Sequence, residues 1–147
     1  MYRRILVSTD GTPRSGRAVK AAAELARTCG AGLTVFHAIP AYHTPYYHEG
    51  VGFDWPSERQ YAKDSVREAE KLLARARDIA SRAGVESNAV HVHDDDVASA
   101  VVAAAAKSKS DLIVMASHGR KGLEKLLIGS ETQRVLARTK LPVMVVR

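Results

Sequence analysis

Short apolar runs rich in valine and isoleucine alternate along this chain with longer stretches in which apolar residues recur every three or four positions. The first class comprises residues 5–9, 32–38, 90–93, 112–116 and 142–146. Apolar at successive positions, these runs suit strands covered on both faces of a sheet. The second class predicts helices. Ala18, Ala22, Leu25 and Ala26 share one helical face, and Gly30 supplies a stop. Between 58 and 82, Ala62, Val66, Ala69, Leu73, Ala76 and Ala80 step by threes and fours, while Lys63, Arg67, Glu70, Lys71, Arg75 and Arg77 fill the other faces. Val97, Val101 and Ala104 mark a third helix ending near 108–110, and a fourth helical stretch precedes Leu141 and Pro142.

The predicted order is β-α-β-α-β-α-β-α-β. Such alternation calls for a mostly parallel sheet with helices on both faces and right-handed crossovers. No internal repeat or linker interrupts it, so residues 1–147 are expected to form one domain. Residues 40–56 are the exception. They are long for a connection and hold Tyr42, His43, Tyr46, Tyr47, His48, Phe53 and Trp55. A surface loop folded onto the sheet edge is the plain reading.

Composition narrows the class of protein. With 46% hydrophobic and 26% charged residues the chain is not of the disordered type. The formal net charge of +6 favours anionic partners. The basic residues are scattered over several helices among Glu and Asp, without the aromatic interleaving of a nucleic-acid groove, so they describe a solvated surface. No run approaches the ~20 apolar residues of a membrane span. The opening residues lack the apolar stretch of a secretory leader, and the single cysteine, Cys29, cannot form an internal disulfide. A cytoplasmic protein without membrane insertion is expected.

In an open α/β sheet, ligands bind beyond the carboxyl ends of strands whose connections leave to opposite faces. The first strand ends in Ser8-Thr9-Asp10-Gly11, with Pro13 suited to a helix's first turn. The fourth leads into Ala116-Ser117-His118-Gly119-Arg120-Lys121-Gly122 and then Gly129-Ser130-Glu131-Thr132. Gly119 and Gly122 allow the backbone to approach a ligand closely. Arg120 and Lys121 bring positive charge, and Gly129-Ser130 opens a helix whose free N–H groups attract anions. Ser130 and Thr132 add hydroxyl donors. Together they describe a phosphate cradle built from backbone amides. Neither a Walker loop nor a G-x-G-x-x-G fingerprint is present.

These segments resemble the universal stress protein family, and in particular its ATP-binding branch, which carries G-x2-G-x9-G-[ST] after the fourth strand and an aspartate closing the first. Gly119, nine intervening residues and Gly129-Ser130 fit the long part of that pattern, and Asp10 fits the aspartate. The resemblance runs nearly the whole length, including the S-H-G-R-x-G-L segment and the P-V-x-V-V-R ending. It implies a five-stranded parallel sheet in the order 3-2-1-4-5 and a homodimer formed along the last strand. It also implies that Ser8, Thr9 and Asp10 contact the adenosine end, and that Ala38 and Met115 line the adenine pocket. Gly119, Arg120, Gly129, Ser130, Glu131 and Thr132 would hold ribose and phosphates. The implied ligand is ATP, with AMP or ADP as variants, carrying Mg²⁺ or Mn²⁺ through its phosphates. The implied role is regulatory, exercised through a protein partner that the sequence does not name, with slow ATP hydrolysis at most.

Two departures set expectations. Ala116 stands where the family motif has its first glycine, and a methyl there would crowd the nucleotide or restrict the turn, weakening binding. Asp94, Asp95 and Asp96 replace a Gly-x-Pro run, and carboxylates beside a polyphosphate would repel it. His91 and His93, alternate on a strand, invite a metal reading together with these aspartates. Capping of the next helix is the plainer account. Ser117-His118 lacks the frame of a nucleophile elbow. Two rival functions stand beside the nucleotide-binding regulator: an interaction module with a degenerate pocket, and a weak ATPase or phosphotransferase.

Overall fold

A computed structural model describes residues 1–43, 56–117 and 128–147. Its elements are β1 (Arg4–Ser8), α1 (Pro13–Cys29), β2 (Gly32–Ile39), α2 (Glu58–Arg82), β3 (Ser87–His93), α3 (Val97–Lys107), β4 (Leu112–Ala116), α4 (Ser130–Arg138) and β5 (Val143–Val146). The five strands form one parallel sheet in the order β3-β2-β1-β4-β5. The alternation read from the sequence and the strand order implied by the family resemblance both hold. β3 starts three residues before its apolar run, because Ser87, Asn88 and Ala89 pair in register with Leu33, Thr34 and Val35 of β2. Edge strands need less apolar character than central ones, which is why pattern alone missed these residues.

Two cores sandwich the sheet. On one face Ile5, Val7, Leu33, Val35, Leu112 and Val114 pack against α1 and α2. The buried stripe of α1 is Ala18, Ala22, Ala23 and Ala26 beside Val19, and these small side chains set it close to the sheet. On the other face Leu6, Phe36, Ile113 and Met115 meet α3 and Val135 of α4. Helices α1 and α2 thus cover one side, α3 and α4 the other. β1 is the strand at which the connections diverge, with β2 on one flank and β4 on the other. The switch point lies at the carboxyl ends of β1 and β4.

Local signals explain how α1 begins and ends. Thr12 caps it by accepting a hydrogen bond from the Ser15 N–H, Pro13 opens its first turn, and Gly30 closes it in the left-handed region at φ 64°. Gly11, in the turn from β1, has φ +79°, and a Cβ there would lie 2.8 Å from Leu72 Cδ1. The backbone therefore favours glycine at 11, and a Cβ there would also have to displace the Leu72 side chain.

Candidate functional site

A crevice of about 340 Å³ opens at the switch point, within the usual size range of small-molecule sites. Ser8, Thr9 and Asp10 enter it from β1, Ala38 from β2, Met115 and Ala116 from β4, and Gly129, Ser130, Glu131 and Thr132 from the start of α4. Ten of the residues singled out from sequence are thereby brought together. Gly119 and Arg120, with His118, Lys121 and Gly122, lie outside the described residues, as do Tyr46, Tyr47, His48, Phe53 and Trp55.

Sequence reasoning missed three lining residues, Ser15, His37 and Val97. Each sits one step beyond a recognised feature. Ser15 is in the first turn of α1, His37 precedes Ala38, and Val97 is the first residue of α3. Ser15 Oγ and Thr9 Oγ1 are 2.9 Å apart and share a hydrogen bond. His37 Nδ1 lies 2.8 Å from the Thr9 carbonyl oxygen, which only accepts, so the ring carries its proton on Nδ1.

The β1 side of the crevice is internally satisfied. Asp10 Oδ1 accepts from both the N–H and the hydroxyl of Thr12, at 3.0 and 2.6 Å. Thr12 in turn accepts from the Ser15 N–H at 3.2 Å. The β4 side is tied by Ser117, whose hydroxyl accepts the Gly129 N–H at 3.2 Å and whose carbonyl accepts from Arg14 Nη1 at 3.3 Å.

The start of α4 is finished differently from the other described helices. Thr12, Ser57 and Asp96 cap α1, α2 and α3 with side chains, whereas Gly129 at the cap of α4 offers none. The N–H groups of Ser130, Glu131 and Thr132 have no hydrogen-bond acceptor among the described residues. Uncapped amides at the positive end of a helix form an anion site. Glu131 adds an acceptor. One of its oxygens pairs with Arg134 at 3.1 Å, and the other, Oε2, is buried without a partner among the described residues. A ligand that presents anionic oxygens to the amides and a hydroxyl or amino donor to Glu131 would satisfy both.

The two departures resolve structurally. Ala116 ends β4, pairs in register with Val146 and is 7% exposed. Among the described non-glycine residues only Lys109 has positive φ, so the backbone at 116 does not require glycine. The aspartates hold the β3–α3 loop and do not line the crevice. Asp94 Oδ1 accepts the Asp96 N–H at 2.9 Å. Asp95 accepts the Ala41 N–H and pairs with His43 at 2.8 Å. Asp96 caps α3 through Ser99 and binds Arg138 Nη1 at 2.6 and 2.7 Å. The hydrogen bonds from Arg138 and Ser99 hold the Asp96 carboxyl down to about 2 from its usual 3.8. Asp96 is therefore a helix cap, and Asp94 and Asp95 tie the loop before it. His93 Nε2 lies 3.4 Å from Ser65 Oγ on α2, and no cluster of three metal-ligating side chains occurs among the described residues.

The ends of the 40–56 connection are fixed. Tyr42 hydroxyl donates to the Pro56 carbonyl at 3.1 Å, Tyr61 hydroxyl donates to that of Pro40 at 2.7 Å, and the two rings meet at a tilt of 51° with centroids 5.4 Å apart. No described helix is long and apolar enough to cross a membrane.

Known proteins share this architecture. The model of the universal stress protein family matches residues 1–147. A universal stress protein of Thermus aquaticus is 32% identical over 151 residues, spanning 100% of both chains. The solved universal stress protein of Archaeoglobus fulgidus has the same fold, with a TM-score of 0.77 at 23% identity over 100% of both chains. A universal stress protein crystallised in complex with cAMP superimposes with a TM-score of 0.74 at 26% identity, over 99% of this chain and 97% of that one.

Proposed function

The chain belongs to the universal stress protein family, and we propose that its crevice binds an adenine nucleotide, ATP foremost, as a regulatory ligand. The observation that carries this reading is the uncapped start of α4, opening onto a crevice that also receives the ends of β1, β2 and β4. Phosphates would lie against the amides of Ser130, Glu131 and Thr132, with Arg120 and Gly119 completing the cradle. The base would rest between Ala38 and Met115, and the buried Glu131 Oε2 would accept from a ribose hydroxyl. A divalent cation, Mg²⁺ or Mn²⁺, would be held through the phosphates and would offset their charge beside Asp10 and Glu131. The cAMP complex of a 26% identical neighbour supports adenine as the base class.

We read the bound nucleotide as a signal, with slow hydrolysis at most, although Asp10, His37 and Glu131 line the crevice. We read the protein as a cytoplasmic responder to stress that acts through a protein partner and pairs with a second copy along β5. The apolar edge strand supports that pairing, with Met144 in β5 37% exposed.

The test is to denature purified protein, identify released nucleotide by chromatography, and titrate the emptied protein with ATP and GTP. Co-purified adenine nucleotide, or ATP binding at micromolar to submillimolar concentration with GTP weaker, is expected. No ATP binding up to millimolar would overturn the reading. Light scattering of the same sample should return the mass of two chains.

A further inference from the structure

We propose that the groove between α1 and α2 is a docking site for an acidic amphipathic helix of a partner protein. The groove encloses about 830 Å³, more than the crevice, and runs from the β1–α1 turn to Arg82 and Ala83 at the end of α2. From Gly16 to Arg27 its α1 wall spans about 16 Å, the length of three helical turns.

Its charge is one-sided. Arg17, Lys20 and Arg27 line it from α1, and Arg75 and Arg82 from α2, against a single acid, Glu24, among the described residues. Lys20 reaches Glu24 only at 3.9 Å, and the four arginines make no ion pair among the described residues. The spacing is regular. Lys20 and Arg27 are seven residues apart on one wall, as Arg75 and Arg82 are on the other. Seven residues are two turns, so carboxylates two turns apart on both flanks of a docked helix would meet both rows. The floor is apolar, with Val19 and Ala76 buried and Leu72 and Ile79 half-buried. An apolar floor between basic walls fits the helix-in-groove mode of recognition. Nucleic acid fits it poorly, because no aromatic side chain among the described residues lines the groove to stack a base.

Gly16 supports the same reading. A glycine inside a helix costs about 1 kcal/mol relative to alanine. Nothing in the packing requires it, since a Cβ there would meet Ile79 Cδ1 at an ordinary 3.5 Å. Its missing side chain leaves the groove open at the level of Ile79.

Thr9 lines both the groove and the crevice. A partner seated in the groove would therefore abut the wall of the proposed nucleotide site. The docking proposal itself does not depend on a nucleotide.

The probe is a fluorescent synthetic peptide of about sixteen residues, with leucines along one helical face and glutamates two turns apart on both flanks. A composition-matched scramble, phosphatidylglycerol vesicles and a short DNA duplex serve as comparators. Anisotropy with the full-length protein should show the designed peptide binding at least about tenfold more tightly than the scramble. Reversing the α2 row (Arg75→Glu with Arg82→Glu) or the α1 row (Lys20→Glu with Arg27→Glu) should each weaken it about tenfold or more. ATP affinity, measured in parallel, should not change. The proposal is overturned if the peptide fails to bind, if the scramble binds equally, or if neither row matters. It is overturned in its partner class if vesicles or DNA bind through the same arginines while the peptide does not.

Discussion

Helices α1 and α4 both begin at the mouth of one crevice, yet their first turns are built to opposite ends. α1 satisfies itself. Asp10 accepts from Thr12, Thr12 accepts from Ser15, and Pro13 removes an amide that would otherwise need a partner. α4 starts at Gly129, which has no side chain to turn inward, and its first amides find no acceptor among the described residues. Strands of equal standing in the sheet feed the two helices, so fold stability does not explain the difference. A helix end left without an acceptor beside a cavity is what an anion site requires. The closed end stabilises the protein, and the open end is where the proposed nucleotide would bind.

Exchanging the two designs gives the largest effect. Gly129 has φ −56° and ψ 151°, a conformation open to any residue, so Gly129→Asp should fold and cap its own helix. The new carboxylate would take the place of a phosphate and repel the rest, and ATP affinity by calorimetry should fall at least about 100-fold, a loss on the order of 3 kcal/mol. The melting temperature should hold or rise. The mirror substitution, Thr12→Ala, should cost about 1 kcal/mol of stability by chemical denaturation while leaving ATP affinity within about twofold. An ATP-binding Gly129→Asp protein would break the comparison.

Much of this contrast was legible before any coordinates. Gly129-Ser130 already reads as a helix start with free N–H groups and Pro13 as a first-turn residue, whereas the Thr12 cap emerged only with the structure. Strand order was a different matter. Nothing in the apolar runs orders the strands, and that knowledge came through the family resemblance carried by Asp10, Gly119 and Gly129-Ser130. Of the residues missed, Ser15 and Val97 reach the crevice from the first turns of α1 and α3 and His37 from near the end of β2, placements that periodicity does not encode. What Asp94, Asp95 and Asp96 contact was hidden for a similar reason. Sequence placed three carboxylates near a strand end, and only the hydrogen bonds to Ala41, Ser99 and Arg138 show that they face the loop and the neighbouring helices.

Those bonds sharpen the contrast at its other end. Asp96 caps α3 and binds Arg138 in the last turn of α4, so α4 is anchored at its carboxyl end while its amino end stays open. Arg138 and Ser99 hold the Asp96 carboxyl at about 2 in the folded chain, against 3.8 without them. A lowered value means that the ionised form is favoured by folding. The stability it contributes is complete above 3.8 and is lost as pH falls through the interval down to about 2. Asp111, whose carboxyl is lowered by the backbone N–H groups of Arg3 and Arg4, titrates in the same direction. Comparing wild type with Asp96→Asn therefore isolates the first group. Melting temperatures between pH 5 and pH 2 should show the wild type losing its advantage over the variant as pH falls, and a constant gap would remove Asp96 from the account.

The smallest expected effect concerns Ala116, the position where the family motif has glycine. From sequence alone its methyl threatened either the turn or the ligand. The turn is not at risk, because β4 continues through 116 in register with Val146 without positive φ. The side chain belongs to the core on the α1 face, beside Val114 and Ala18, while Met115 faces α3. Its methyl is therefore mostly committed to packing, although the residue borders the crevice. Ala116→Gly should change ATP affinity by less than about threefold, under 1 kcal/mol. It should also lower stability by about 1 kcal/mol, from the lost methyl contacts and the greater freedom of the unfolded chain. If the substitution instead raised affinity tenfold or more, the pocket would be a decayed one and the open end of α4 a remnant. An unchanged affinity would mean that α4 sets the strength of binding and that β4 contributes only its shape.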